Sequence, residues 1–358
     1  MFATERLRRL GQSLWLDDIT RDLLDSGTLA TYIDKWSVTG LTSNPSIFDH
    51  AITHSGSYDR DVERLVNAGV KGEELFFELA IQDLSRAADL FQPVYRRTAT
   101  VDGWVSLEVS PLLAHDTDGT VASAKTLYAK ANKSNLFIKI PGTREGLPAI
   151  EEAIFSGVPI NVTLLFSPDH YVAASNAYMR GLERRIEAGL SPDVRSVASL
   201  FVSRWDVAVA KTAPRGLKNR LGIAIGTLAY KAYRDQLDSD RWQRLENLGA
   251  RAQRLLFAST GTKDPEASDV FYVDALAAPN TVNTMPENTL KASADHAAAT
   301  KIIRRDDDDS ADIVAQFGKA GTDMSALAET LQREGAESFV KAWRDLLQAI
   351  DAKSKVLS

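Results

Sequence analysis

The sequence contains no cysteine among its 358 residues. Disulfides and thiolate metal sites are therefore excluded, and the chain carries no redox liability in a reducing compartment. Histidine is scarce too, and the five present show no metal-ligand spacing. No segment approaches the roughly 18–20 consecutive apolar residues that a membrane-spanning helix needs. Residues 1–13 (MFATERLRRLGQS) are charged and lack an apolar stretch, so they do not read as a signal peptide. A cytoplasmic location is the expectation. HExxH, GxSxG, GxxxxGK(S/T) and GxGxxG are all absent. There is no internal repeat and no Gly/Ser-rich linker.

What remains is an ordinary globular composition, 44% hydrophobic and 25% charged, in a chain long enough to bury a large core. The net charge is −6, and Lys and Arg are spread along the chain rather than gathered in a block. That distribution disfavours a nucleic-acid partner and leaves room for a local basic pocket. The one marked charge block, residues 304–309 (RRDDDD), reads as a solvated loop.

Short apolar or β-branched runs alternate with longer helical patterns. Strands are expected at 13–17, 38–43, 104–109, 136–140, 159–165, 195–201, 254–259 and 281–285. Near-continuous apolar runs of this length, bordered by Gly, Pro and Asn, are how parallel strands buried on both faces read. Helical stripes lie between them through 73–96 and 169–188, and Pro168 suits the start of the second. A last helix is expected over about 323–355, with Leu327, Leu331, Phe339, Trp343, Leu346, Leu347 and Ile350 as its core-facing stripe. Eight strands with intervening helices predict an α/β fold: one (β/α)8 TIM barrel domain spanning 1–358, with additional helices and the C-terminal helix packed on it. The gaps 44–103 and 202–253 are each long enough for two helices.

In such a barrel the functional site lies at the C-terminal ends of the strands. Polar residues interrupt the apolar runs there. Asp17 ends the first strand, Asn44 follows the second and Glu108 is near the end of the third. Asn161 and Thr163 share one face of the fifth, Ser199 is near the end of the sixth, and Ser259 ends the seventh. Lys139 is the unusual one, set between Ile138 and Ile140 within 136–141 (LFIKIP). A lysine on a buried strand must be paired or lose its charge. A desolvated amine is a usable nucleophile for Schiff-base chemistry with a carbonyl. A structural ion pair with Glu108 or Asp17 is the alternative. Imine chemistry also needs proton shuttles, for which Asp17 and Glu108 are the candidates. The amides and hydroxyls of Asn44, Asn161, Thr163 and Ser199 suit a polyhydroxylated substrate. Arg204, at a helix start after the sixth strand, and Lys263, in 259–263 (STGTK) after the seventh, could hold an anion such as phosphate.

At these residues the chain resembles the transaldolase family, in its longer bacterial branch. The matching stretches are 14–20 (LWLDDIT), 40–48 (GLTSNPSIF), 105–111 (VSLEVSP), 136–143 (LFIKIPGT), 159–167 (PINVTLLFS), 197–206 (VASLFVSRWD), 256–265 (LFASTGTKDP) and 280–290 (NTVNTMPENTL). They run through nearly the whole chain in barrel order. The resemblance implies a Schiff base on Lys139, a proton-shuttling Asp17, and a Glu108 that positions the catalytic water with Thr163 beside it. It implies substrate-hydroxyl contacts at Asn44, Asn161 and Ser199, and a phosphate-binding Arg204. Lys263 takes the place of a second arginine found in the shorter members. Phe201, two residues beyond Ser199, stands near where small related aldolases tend to carry a water-guiding tyrosine.

The implied reaction moves a dihydroxyacetone unit from sedoheptulose 7-phosphate or fructose 6-phosphate to glyceraldehyde 3-phosphate or erythrose 4-phosphate. It implies no metal and no organic cofactor, because the protonated imine is the electron sink. An aldolase releasing free dihydroxyacetone is the runner-up. A glycosidase using Asp17 and Glu108, which would form no reducible imine, and a non-catalytic scaffold are the readings from other classes.

Overall fold

The computed structural model describes residues 2–298, 300, 302–305 and 309–357. Eight parallel strands close into a barrel in chain order. They are β1 (Ser13–Asp17), β2 (Val38–Thr42), β3 (Trp104–Glu108), β4 (Leu136–Pro141), β5 (Ile160–Leu165), β6 (Ser196–Phe201), β7 (Arg254–Ala258) and β8 (Val282–Met285). The TIM-barrel expectation holds, and every strand boundary lies within one residue of its predicted position. These strands were legible because both faces are buried, which selects apolar residues continuously rather than in alternation.

Alternation still decides which side chains enter the barrel. Leu14 and Leu16 of β1 join the core between sheet and helices. Trp15 points inward and clusters with Trp104, Phe137, Val197, Leu256 and Val282. The Trp104 and Phe137 rings stack at 4.1 Å, and Trp15 and Phe137 at 6.1 Å. This aromatic layer plugs the lower barrel. One step along each strand the register sets a polar layer above it: Asp17 opposite Thr42, Glu108 opposite Lys139, and Lys139 opposite Asn161.

Gly40 of β2 is required by the plug. A Cβ there would sit 2.5 Å from the Trp15 ring. Trp15 is held in place by an Nε1–H bond to Asp102 at 3.0 Å. Gly40→Ala is expected to destabilise the fold by about 1–3 kcal/mol through overpacking. A urea midpoint equal to wild type would reject this assignment.

The long connections hold three helices each, one more than expected. Pro45–His54, Asp59–Asn67 and Gly72–Arg97 lie between β2 and β3; Ser203–Val209, Leu221–Leu237 and Asp240–Asn247 lie between β6 and β7. Two of these helices open on local caps. Asn44 Oδ1 accepts from the Ile47 N–H with Pro45 in the first turn, and Ser239 accepts from the Trp242 N–H. Of the 304–309 block, residues 306–308 lie outside the described residues, and Arg305 pairs with Asp235 at 2.7 Å.

The last helix, Met324–Leu357, crosses from the barrel mouth to the helices after β2. Trp343 is buried edge-on against Phe76, and Leu346 and Ile350 are fully buried with it. Among the described residues no helix is long and apolar enough to cross a membrane.

Candidate active site

The polar layer lies at the C-terminal ends of the strands, beneath a cavity of about 300 Å³. Lys139 is 5% exposed at its base. Its Nζ donates to Glu108 Oε2 at 3.1 Å and to the Ser43 carbonyl at 2.9 Å. The ion pair considered from sequence thus forms with Glu108. A buried pair of this kind is a weak source of stability compared with apolar packing, so its place under a polar cavity favours a chemical use.

Two carboxyls share this one lysine. Burial raises the Glu108 carboxyl above the usual carboxylate range; the Lys139 charge opposes the shift and nearby Asp17 adds to it. Burial likewise raises Asp17, opposed by Lys139 and by the Thr42 hydroxyl, which donates to Asp17 Oδ1 at 2.7 Å. The adjacent Asp18 is pushed up to about 6 by burial and by the negative charges of Glu287 and Asp17. Glu108 Oε1 and Thr163 Oγ1 are buried with no hydrogen-bond partner among the described residues. Buried polar atoms are normally paired; Thr163 lines the cavity, so its hydroxyl is free to hold a polar group entering there, while Glu108 lies off the wall against Lys139.

The other expected residues fall around the same space. Ser199 Oγ donates to Asn161 Oδ1 at 2.7 Å, and Asn161 Nδ2 donates to Ser106 Oγ at 3.2 Å. Asn161 is therefore fully buried behind Ser199 rather than on the cavity wall. Asn44 lines the cavity while its Oδ1 is occupied by the cap of Pro45–His54. Ser259 also lines it, with φ +55° where β7 ends, and shares a 2.8 Å hydroxyl contact with Ser203. A non-glycine residue held in that region is locally strained. Arg204 and Lys263 both reach the rim, exposed and without a hydrogen bond or ion pair among the described residues. Phe201 forms part of the wall, 5.4 Å from Phe166.

Four contributors escaped sequence reasoning. Ser43 acts through its backbone carbonyl, which no side-chain pattern reveals. Thr42 and Thr284 bridge hydroxyls at 2.7 Å, and their signal was there: both are polar positions near the ends of buried strands. Phe339 was assigned to the core-facing stripe of the last helix. It does pack against a core cluster, but its ring also lies 5.8 Å from Lys139 Nζ and lines the cavity.

The family pattern described as transaldolase/fructose-6-phosphate aldolase matches residues 14–350. A transaldolase of Thermobifida fusca is 44% identical over 355 residues, covering 97% of this chain and 96% of that one. A transaldolase of Arthrobacter sp. is 43% identical over 357 residues, with the same coverage. A protein named transaldolase 2 of Nostoc punctiforme is 38% identical over 372 residues, covering 98% and 97%. With agreement of this extent and an eight-stranded barrel beneath it, the chain belongs to the transaldolase/fructose-6-phosphate aldolase family.

Proposed function

We propose that Lys139 carries the transaldolase reaction of this chain, moving a dihydroxyacetone unit between cytoplasmic sugar phosphates. The observation that carries this reading is the Lys139 amine, buried against Glu108 and opening on a polar cavity with unpaired cations at its rim. The amine adds to the C2 carbonyl of a ketose phosphate. Glu108, helped by Thr163, handles the protons as the carbinolamine loses water to give the iminium. Asp17 takes the proton of the C4 hydroxyl, the C3–C4 bond breaks, and its electrons move into the iminium to leave an enamine on Lys139. The first aldehyde departs. The enamine then attacks a second aldehyde, and hydrolysis of the new imine frees the product and the amine.

Asn44 and Ser199, with Asn161 behind, suit the substrate hydroxyls. Arg204 and Lys263 suit the terminal phosphate. Transfer is favoured over free aldol cleavage by Phe201, whose ring has no hydroxyl to guide water to the intermediate. The deciding test is mass spectrometry after borohydride reduction with fructose 6-phosphate. A dihydroxyacetone-derived mass on the peptide containing Lys139 supports the reading; no adduct, or an adduct on another lysine, rejects it.

The phosphate assignment has its own test. Charge-assisted bonds are worth about 1.5–3 kcal/mol, so Arg204→Ala is expected to lower kcat/KM for fructose 6-phosphate by about 10–100-fold. Lys263→Ala should act in the same direction. Both should leave cleavage of unphosphorylated fructose nearly unchanged. Equal losses on phosphorylated and unphosphorylated substrate would remove that residue from the phosphate site.

A further inference from the structure

The last helix brings a narrow face to the barrel mouth. Gln332 Nε2 donates to the Leu164 carbonyl at 2.9 Å and to the Gly142 carbonyl at 3.1 Å. The first carbonyl lies in β5 next to Thr163, and the second directly follows the end of β4. Leu164 has φ +59°, an unusual conformation for a leucine. One helical turn on, Gly335 passes close to Leu164 and Phe166, where a Cβ would sit 3.0 Å from the Leu164 side chain. A turn later Phe339 reaches 5.8 Å from Lys139 Nζ and meets Phe201 edge-on at 6.5 Å. The spacing of three and then four residues puts all three on one helix face. Gln332 and Gly335 thus set the height at which Phe339 lies over the lysine.

We propose that Phe339 is a specificity residue that closes an aromatic ceiling with Phe201 over Lys139 and keeps proton-donating water from the enamine's terminal carbon. The inference rests on the Schiff-base reading of Lys139. The enamine left after the first cleavage has two fates. It attacks an acceptor aldehyde and forms a new carbon–carbon bond, which is transfer. Alternatively its terminal carbon takes a proton to give an iminium, water adds to the iminium carbon, and the C–N bond breaks. That second route returns the amine and frees dihydroxyacetone. Phe339 has no polar atom to hold a proton-donating water there, while hydrolysis of the final imine draws on the protons handled by Glu108 with Thr163. The ceiling therefore slows the hydrolytic branch and leaves the acceptor route open.

The readout is a ratio: dihydroxyacetone released from fructose 6-phosphate without acceptor, against transfer to erythrose 4-phosphate. Phe339→Ala is expected to raise it about tenfold, the scale on which apolar pocket contacts discriminate. Phe339→Val, which removes less of the ring's volume, should raise it less. Gln332→Ala, which loosens the latch without touching the substrate, should raise it too. A merely structural role would lower both activities together and leave the ratio fixed. An unchanged ratio in Phe339→Ala, or in Phe339→Val if the alanine variant does not fold, overturns the proposal while borohydride still labels Lys139. Failure of wild type to label at Lys139 would instead reject the Schiff-base reading.

Discussion

Lys139→Ala is expected to lose borohydride-trapped adduct altogether, with transfer falling on the order of 10⁵-fold, because the proposed mechanism routes the covalent intermediate through this amine alone. The size of the loss follows from chemistry that has no fallback: without an imine there is no electron sink for C3–C4 cleavage. The fold is expected to survive. Stripping one partner from a buried ion pair costs roughly 3–5 kcal/mol when the other stays charged. Glu108 has a way out, since burial already raises its pKa and it can take up a proton when the lysine charge is gone. The check is trapping and transfer on a variant whose circular dichroism matches wild type. Residual adduct, or transfer within about 100-fold of wild type, would show that another nucleophile operates, a loss too small for a missing covalent step.

How much of this was legible depended on what each position is for. The strands could be read because burial on both faces leaves a continuous apolar run, and that same background made Lys139 stand out between Ile138 and Ile140. The polar layer at the strand ends was legible for the same reason: Asp17, Glu108, Asn161 and Ser199 break apolar runs there. Contributions independent of side-chain type were not legible. The Ser43 carbonyl accepts from Lys139 Nζ at 2.9 Å whatever side chain residue 43 carries. The second role of Phe339, at the cavity, was hidden for a further reason. An amphipathic stripe reports which face is covered, not by what. Trp343 and Phe339 both lie on that stripe, yet Trp343 packs on Phe76 while Phe339 packs on a core cluster and also lies 5.8 Å from Lys139 Nζ.

The extra helices show a related limit. Length alone bounds how many helices a connection can hold, and its minimum count is an economical guess. The short Asp59–Asn67 and Ser203–Val209 are too brief to form alone and depend on packing for their helicity. Their existence is a tertiary fact. So is the position of Arg204, which comes to the rim because Ser203–Val209 starts directly after β6.

Asp17→Asn and Glu108→Gln are expected to fail at different steps, each with transfer down about 10²–10⁴-fold, the usual worth of a positioned acid or base. Glu108 is bonded directly to Lys139 Nζ and has Oε1 unpartnered, so on the proposed mechanism its proton transfers fall in imine formation and hydrolysis. Asp17 approaches from β1, held by Thr42, and on the proposed mechanism its proton transfers fall at the C4 oxygen. In single-turnover trapping, Glu108→Gln should therefore accumulate adduct slowly. Asp17→Asn should form the imine faster than it cleaves it, and so accumulate an adduct carrying the whole ketose rather than its three-carbon fragment. The pH profiles should differ as well. Burial raises both carboxyls, so their ionised fraction falls at a higher pH than for an exposed carboxylate, and the acid limb of transfer should be displaced upward. Asp17→Asn removes the base that cleavage needs ionised, so the residual activity should lose the part of that limb set by Asp17. Glu108→Gln should keep it. If both variants trap at the wild-type rate and hold only the three-carbon fragment, the two carboxyls do not divide the proton transfers, and one of them serves every step.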